Sequence, residues 1–301
     1  MGSNGNQKDH GLVLSEFASY RKIADALSTY EDSRYVIFGV PFDYTSSFRR
    51  GSSRGPQEVR RAYDNLESYD VFYDVDFTKT AMCDIGDLYV TEDPDDTVDS
   101  VEQVVSIIRS DGKIPIMIGG EHSITGGSIR NYRDHGMIII DAHSDFRYEY
   151  MGHKNNHACA TRRSLEVLGE GKIFSFGTRS TSIEEFQDPD YKKVDFLRSE
   201  TIHRDGIQEV YRSVESKLPD KMYFSIDMDG IDPAFAPGVG TPEPYGLKDT
   251  DVRYLIRKVS KKTYGFDVLE FTPDFDNGNT AMLAAKLIQD FVGSRESKIK
   301  F

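Results

Sequence analysis

Short apolar runs recur along the chain, and each stops at a glycine, a proline or a charged residue. Runs of this length with such boundaries are typical of strands that are buried on both faces of a sheet. They are Tyr35–Val40, Lys113–Ile118, Met137–Ile140, Ile173–Gly177, Met222–Ile226 and Tyr264–Leu269. We therefore predict that these segments form the inner strands of one sheet.

Between these runs, apolar residues recur at the spacing of a helix face. The predicted helices are Thr97–Arg109, Asp205–Leu218, Asp249–Val259 and Thr280–Phe291. Alternation of strands and helices predicts a parallel sheet with helices on both sides, which is an α/β fold. The prolines between residues 232 and 245 predict a loop there.

The chain contains neither an internal repeat nor a low-complexity linker, so we predict one domain over residues 1–301. About the first 12 residues lack an apolar core and a basic flank. They are expected to be disordered rather than to form a signal peptide.

The charge balance narrows the choice of partners. The formal net charge is −13, which argues against nucleic acid because nucleic-acid binding needs basic patches. An acidic surface is compatible with a small cationic substrate, although solubility alone also explains it.

Cysteine content and hydropathy indicate the compartment. Two cysteines in 301 residues make no disulfide framework, so a reducing, cytoplasmic environment is expected. The sequence has no apolar run long enough to span a membrane.

Three of the predicted strands are followed by histidine and aspartate residues. His122 follows the second run, Asp141, His143 and Asp145 follow the third, and Asp227 and Asp229 follow the fifth. Ligands of open parallel sheets bind beyond the carboxyl ends of the strands. The clusters are therefore expected to converge at one place.

Their spacing predicts a metal site. On extended backbone, side chains at positions i and i+2 point the same way, so each cluster can face one site. Four carboxylates packed together repel one another unless cations lie between them, and two cations can share bridging carboxylates. Carboxylate and imidazole ligands fit Mn²⁺, with Zn²⁺, Co²⁺ or Fe²⁺ possible. Such a pair supplies hydroxide near neutral pH for attack on an electrophilic carbon.

Other readings of these motifs fit less well. Asp227-Met228-Asp229-Gly230 resembles the start of an EF-hand loop, but Gly238 stands where the bidentate glutamate is required. A deacetylase-type site with a single zinc ion would leave His122 and the additional carboxylates without a role.

Together the three motifs resemble those of the ureohydrolase family, which includes arginases, agmatinases and formimidoylglutamases. The resemblance extends from about Gly39 to the C-terminal helix. It implies a three-layer α/β/α fold with a mainly parallel sheet of about eight strands. It also implies two Mn²⁺ ions, hydrolysis of a guanidinium group, and a homo-oligomer such as a trimer or hexamer.

The resemblance also assigns ligands to each ion. It implies that one ion is bound by His122, Asp141, Asp145 and Asp227, and the other by Asp141, His143, Asp227 and Asp229. Asp141 and Asp227 would bridge the two ions.

Three residues are expected to act in catalysis. Asp145 would accept a hydrogen bond from the attacking hydroxide. His157 matches the family's histidine near the substrate, which is often assigned to proton transfer. Glu270 matches the glutamate that pairs with the guanidinium, since a planar cation with paired N–H donors favours a facing carboxylate. For His157 and Glu270, an ordinary loop histidine and an ordinary strand-end charge are the alternatives.

Two segments are most like those of agmatinases: Gly39-Val40-Pro41-Phe42-Asp43 and Gly240-Thr241-Pro242-Glu243. Ser180 stands where arginases carry an aspartate that binds the substrate amine. The expected reaction is thus hydrolysis of agmatine to putrescine and urea, as in polyamine biosynthesis. Arginine and guanidinobutyrate are the alternative substrates, and a catalytically silent binding protein on the same fold is a further alternative.

Overall fold

The computed structural model describes residues 22–299, and the predicted disordered start at about residues 1–12 lies outside the described residues. The strands, in chain order, are β1 (Tyr35–Val40), β2 (Tyr69–Asp70), β3 (Val75–Asp76), β4 (Met82–Asp87), β5 (Ile114–Gly119), β6 (Gly136–Ile140), β7 (Ile173–Phe176), β8 (Asp195–Leu197), β9 (Met222–Asp227) and β10 (Thr263–Leu269). Eight of them form one sheet in the order β4-β1-β5-β10-β9-β6-β7-β8. All neighbouring pairs are parallel, and β2 and β3 form a separate antiparallel pair.

Helices cover both faces of this sheet. They are α1 (Gly55–Tyr63), α2 (Pro94–Ser110), α3 (Thr125–Ile129), α4 (Ala160–Leu168), α5 (Ile183–Gln187), α6 (Ser199–Asp205), α7 (Ile207–Glu215), α8 (Asp249–Val259) and α9 (Asn279–Glu296). One apolar cluster packs one face of the strands against α1, α7, α8 and α9, and a second packs the other face against α2 and α4. The predicted three-layer α/β fold with a mainly parallel sheet is confirmed.

Local sequence explains where the elements begin. Asp93 caps α2 by accepting hydrogen bonds from the N–H groups of Asp95 and Asp96, and Pro94 occupies the first helical position. The strands β1, β5, β6 and β9 are buried along their whole length, as expected for central parallel strands.

Two features differ from the prediction. The predicted helix Asp205–Leu218 corresponds to α7 with shorter ends, because Gly206 adopts a φ of 85° and separates α7 from α6, which was not predicted. The edge strands β4 and β8 were not predicted. Strand β4 mixes polar residues with apolar ones, and β8 has only three partly exposed residues, so neither carries a continuous apolar run.

Within residues 22–299, no helix combines the length and the apolar character that crossing a membrane requires.

Candidate active site

The sheet order brings the histidine and aspartate clusters together at the carboxyl ends of four adjacent strands. His122 follows β5, Glu270 follows β10, Asp227 ends β9, and Asp141 follows β6. These strands are neighbours in the order β5-β10-β9-β6, although the residues are up to 148 positions apart in sequence. The convergence expected from the strand-end motifs is therefore observed.

One group of ligand atoms surrounds the His122 ring. Its Nδ1 atom lies 3.2 Å from Oδ2 of Asp141, 3.3 Å from Oδ2 of Asp145 and 3.4 Å from Oδ2 of Asp227. All four side chains are buried. Ligand atoms so close together have the arrangement that a metal ion requires.

Two atoms of this group lack any other partner. His122 Nδ1 and Asp141 Oδ2 are buried and make no hydrogen bond within the part of the chain that the structure describes. The other ring nitrogen of His122, Nε2, lies 3.2 Å from Ser225 Oγ. A proton on Nε2 would then donate to Ser225 and leave the Nδ1 lone pair for a metal ion. The donor set therefore fits a metal ion.

A second group shares Asp141 with the first. His143 Nδ1 lies 2.9 Å from Oδ2 of Asp229 and 3.8 Å from Oδ1 of Asp141. These three residues also converge closely enough to hold an ion. Asp229 is fixed by the N–H of Ala142 and by the Thr241 hydroxyl. The chain thus contains a histidine and aspartate cluster that could hold a binuclear metal site.

The backbone of the third motif differs from the extended form assumed in the sequence analysis. Residues Met228–Gly230 form a single helical turn, and the Asp227 side chain accepts a hydrogen bond from the N–H of Asp229. Asp227 joins the His122 group, whereas Asp229 joins the His143 group. The bridging role of Asp227 therefore stays a prediction.

The carboxylates of this cluster repel one another strongly. Burial and the neighbouring Asp145 raise the pKa of Asp141 to about 7. Burial, together with Asp229 and Asp141, raises the pKa of Asp227 well above its ordinary value. Because one unit of pKa corresponds to about 1.4 kcal/mol, the cluster gains considerably from added positive charge.

Contacts between histidines and carboxylates also change pKa values in this cluster. Burial lowers the pKa of His122, but the adjacent carboxylates of Asp141, Asp145 and Asp227 outweigh burial and raise that pKa well above its ordinary value. Burial raises the pKa of Asp229, but the adjacent His143 outweighs it and lowers the pKa below its usual range. Metal ions can supply the positive charge that protons otherwise provide, and they release those protons on binding.

Glu270 lies at the centre of this region. Its Oε1 atom accepts a hydrogen bond of 2.7 Å from the N–H of His122, and its own N–H donates to the carbonyl of Gly120. Its backbone adopts a φ of 61°, in the left-handed region. Burial and the nearby Glu121 raise the pKa of Glu270 well above its ordinary value, so a cation beside this carboxyl is favoured.

His157 begins a short turn, His157–Cys159, that is capped by Asn156. Its ring nitrogens face two hydroxyl groups: Nδ1 lies 3.3 Å from Thr45 Oγ1, and Nε2 lies 3.2 Å from Ser47 Oγ. His157 is therefore held by the segment that follows β1, which the sequence analysis noted only as a family motif.

A cavity of about 180 Å³ joins these groups. Its walls contain Asp145, Asp227, Asp229, His143, His157 and Glu270, together with Ser47, Ser144, Arg147, Tyr150, Ala158, Ser180, Thr181, Ser182, Glu185 and Thr241. Four of the six cluster residues and both predicted substrate-facing residues thus share one space.

Arg179 supports the site in a way that the sequence analysis did not find. Its guanidinium donates to the carbonyls of Gly177, Asp229, Gly230, Glu243 and Pro244 at 2.7–3.2 Å. These contacts tie the Asp229 backbone to the loop of residues 230–246. The sequence shows a basic residue two positions after Gly177, but it does not show which carbonyl groups that residue contacts.

Residues 33–293 match the model of the Arginase family. This chain belongs to the arginase family. The predicted resemblance to ureohydrolases is thereby confirmed, and the match covers both groups of ligand residues and Glu270.

Individual members of the arginase family resemble the chain over most of its length. The N(1)-aminopropylagmatine ureohydrolase of Thermococcus kodakarensis is 36% identical, over 88% of this chain and 91% of that protein. The agmatinase of Pyrococcus horikoshii is 34% identical, over 91% of this chain and 97% of that protein. The crystal structure of the agmatine ureohydrolase of Thermoplasma volcanium is 56% identical and superposes with a TM-score of 0.90, covering 95% and 97% of the two chains.

Proposed function

We propose that this arginase-family chain hydrolyses the guanidinium group of agmatine to putrescine and urea, with two Mn²⁺ ions as cofactors. The observation that carries the proposal is the cavity shared by the buried histidine and aspartate cluster and by Glu270. The activities of its relatives, agmatinase and agmatine ureohydrolase, support the choice of substrate.

The proposed ligands are those of the two groups. His122, Asp141, Asp145 and Asp227 would hold one ion, and His143 and Asp229 would hold the other with Asp141 and Asp227 as bridges. Mixed imidazole and carboxylate ligands favour Mn²⁺. When bound, such a pair supplies a hydroxide nucleophile near neutral pH.

Three side chains of the cavity act on the substrate in this proposal. Glu270 accepts hydrogen bonds from the guanidinium and holds its central carbon against the cluster. Asp145 accepts a hydrogen bond from the attacking water and so orients it. His157 delivers a proton to the departing amine nitrogen, because an amine leaves more readily when it is protonated.

The ammonium group of the substrate is a second feature that the cavity has to accommodate. Outside the proposed ligands and Glu270, Glu185 is the one carboxylate among the described residues that line the cavity. It already accepts hydrogen bonds from Ser144 Oγ, Phe146 N and Ser182 N. Agmatine keeps the amine of arginine and lacks only its α-carboxylate, so these carboxylates do not separate the two substrates, and the choice of agmatine rests on the activities of the relatives.

The test is urea release by Mn²⁺-loaded protein given agmatine, arginine, guanidinobutyrate and N(1)-aminopropylagmatine in parallel. We expect the highest kcat/KM with agmatine. Higher activity with arginine would contradict the substrate argument, and no urea from any compound would favour a silent binding protein.

Guanidinobutyrate is the second candidate, because Arg147 also lines the cavity. Its guanidinium lies 3.3 Å from a Glu184 oxygen and above the ring of Tyr150. An arginine here can pair with a substrate carboxylate. Arg147→Met separates the candidates: kcat/KM for guanidinobutyrate should fall about tenfold or more if Arg147 binds the carboxylate, whereas agmatine hydrolysis should not fall.

The proposed metal set is tested by Asp227→Ala. We expect metal content below two ions per chain and loss of urea release, with the far-UV circular dichroism of the folded protein retained. Two tightly bound ions in the variant would remove Asp227 from the ligand set. We further propose that the protein is cytoplasmic and forms a homo-oligomer, a trimer or hexamer. Light scattering of the purified protein measures the oligomeric state directly.

A further inference from the structure

Glu121 is a buried carboxylate that the proposed reaction does not use. It accepts hydrogen bonds from the N–H of Thr45 at 2.8 Å, from Ser46 Oγ at 3.2 Å and from Ser123 Oγ at 2.6 Å. The hydroxyl of Thr45 also donates to it. Burying a carboxylate is costly unless donors surround it, and Glu121 has four. It therefore fixes the segment after β1 against the end of β5.

Thr45 connects Glu121 to His157 by hydrogen bonds. Its hydroxyl carries one proton, which it donates to Oε1 of Glu121. The same oxygen accepts a hydrogen bond of 3.1 Å from the N–H of His157 and lies 3.3 Å from the ring atom Nδ1. Since the Thr45 proton is already engaged, Nδ1 must carry its own proton and donate to Thr45.

The other ring nitrogen, Nε2, is then available for proton transfer. With a proton on Nδ1, neutral His157 has its lone pair on Nε2, and protonated His157 can release the Nε2 proton. Nε2 lies 3.2 Å from Ser47 Oγ, and both Ser47 and His157 line the cavity. The geometry therefore presents one defined nitrogen to the substrate.

We propose that Glu121 is a positioning residue which acts through Thr45 to hold His157 in the tautomer with the proton on Nδ1. A carboxylate performs the same task for the histidine of a hydrolytic triad, but here a hydroxyl lies between the two groups. This inference rests on the proposed role of His157 in proton transfer.

Backbone contacts show how closely this segment is fitted to the site. The N–H of Glu121 donates to the carbonyl of Phe42 at 2.8 Å. A Cβ atom on Gly120 would lie 1.8 Å from that carbonyl oxygen, so only glycine fits. The carbonyl of Gly120 also accepts a hydrogen bond from the N–H of Glu270. Residues 42–47 therefore form part of the active site, because one turn connects them to Glu270.

The test is Thr45→Val, which removes the hydroxyl and nearly keeps the volume. We expect kcat for urea release to fall about tenfold or more, since general acid catalysis contributes at least that much, while KM and metal content change little. The pH profile of kcat should shift on the limb that reports His157. Thr45→Ser restores the hydroxyl and should recover most of kcat and the original profile.

Two further variants guard against a purely structural explanation. Glu121→Gln keeps the size of the side chain and should show the same change in kcat and pH profile as Thr45→Val. Thr80→Val, the matched control, removes another buried threonine hydroxyl, one that donates to the carbonyl of Phe77 away from the site, and we expect kcat to change less than about twofold. A wild-type kcat and pH profile in folded, metal-loaded Thr45→Val would overturn the inference.

The variant His157→Asn distinguishes a failure of the Glu121 inference from a failure of the proposed function. If His157→Asn keeps full kcat, the proposed proton transfer itself is wrong. If His157→Asn loses activity while Thr45→Val does not, His157 acts without help from Glu121 and only the present inference fails.

Discussion

The backbone N–H of His122 donates a hydrogen bond of 2.7 Å to Oε1 of Glu270. This contact joins a proposed metal ligand to the proposed guanidinium-binding residue, across adjacent strands of the sheet. It fixes one oxygen of Glu270 within the protein. The distance between the metal cluster and the substrate cation is thereby set by backbone rather than by a flexible side chain.

Replacing Glu270 by glutamine should separate substrate binding from metal binding. Glu270→Gln retains an oxygen for the His122 N–H but removes the charge. We expect KM for agmatine to rise about tenfold or more, since a charge-assisted hydrogen bond contributes about 1.5–3 kcal/mol. Metal content should stay at the wild-type value, and the exposed Glu209→Gln serves as control. An unchanged KM would exclude Glu270 as the guanidinium partner.

Arg179→Lys should destabilise the loop beside the second ligand group. The arginine donates to five backbone carbonyls, whereas an ammonium has three donors and so loses at least two of these hydrogen bonds. The expected loss in free energy of unfolding is about 2–4 kcal/mol, measured by urea denaturation. The exposed Arg198→Lys should be neutral, and equal stability of both variants would contradict the argument.

Removing the hydroxyl of Ser225 should weaken metal binding at His122. Ser225 Oγ lies 3.2 Å from Nε2 of His122, and partners of this kind typically contribute 10–100-fold in metal affinity. Ser225 pairs in register with Asp267, and a hydrogen bond to Ser225 favours the ionised form of that buried carboxylate. We predict that Ser225→Ala loses one of two bound ions first, as measured by equilibrium dialysis.

The matched control for this experiment is Ser175→Ala. Ser175 is another fully buried serine of the sheet, on β7, and its hydroxyl contacts Thr178 rather than a proposed ligand. It should bind metal like the wild type. Equal affinities in the two variants would show that Ser225 does not orient His122.

Acid should abolish the contribution of Asp70 to stability. Burial raises the pKa of Asp70, but the ion pair with Lys286 and the N–H groups of Tyr73 and Phe72 outweigh burial and lower it. Because the folded pKa lies below the unfolded value, the contribution is complete above pH about 4 and disappears as the pH falls through the folded pKa.

Asp70→Asn measures this effect. Its free energy of unfolding should be about 1–2 kcal/mol below wild type at pH 7, and the difference should shrink below pH about 4. The exposed pair of Glu209 and Arg212 provides the control, because Glu209→Gln should have no measurable effect at either pH. A difference that grows in acid would contradict the sign of the pKa change.

The sequence predicted the inner strands well because each is a continuous apolar run that stops at a glycine, a proline or a charged residue. It also identified the cluster residues, since charged side chains directly after buried strands are conspicuous. The edge strands β4 and β8 lack such runs, and their pairing depends on a neighbour rather than on their own composition. Helix α6 was not predicted because Ile202 is its one apolar residue.

Residues that act through long-range hydrogen bonds could not be found in this way. Ser225 and His122 are 103 positions apart, and Thr45 and His157 are 112 apart. A serine in a strand or a threonine in a loop has no distinctive local pattern. The role of such a residue depends on which side chain lies opposite, and the sequence does not record that.

The sequence by itself determined the alternation of strands and helices, the residue types at the strand ends and the resemblance to ureohydrolases. These depend on local hydrophobicity and on motifs of a few residues. Only the tertiary structure decided that β5, β10, β9 and β6 are neighbours, so that His122, Glu270, Asp227 and Asp141 meet at one edge. The physical reason is that strand order is set by hydrogen-bond pairing and helix packing over the whole chain, and local patterns do not specify it.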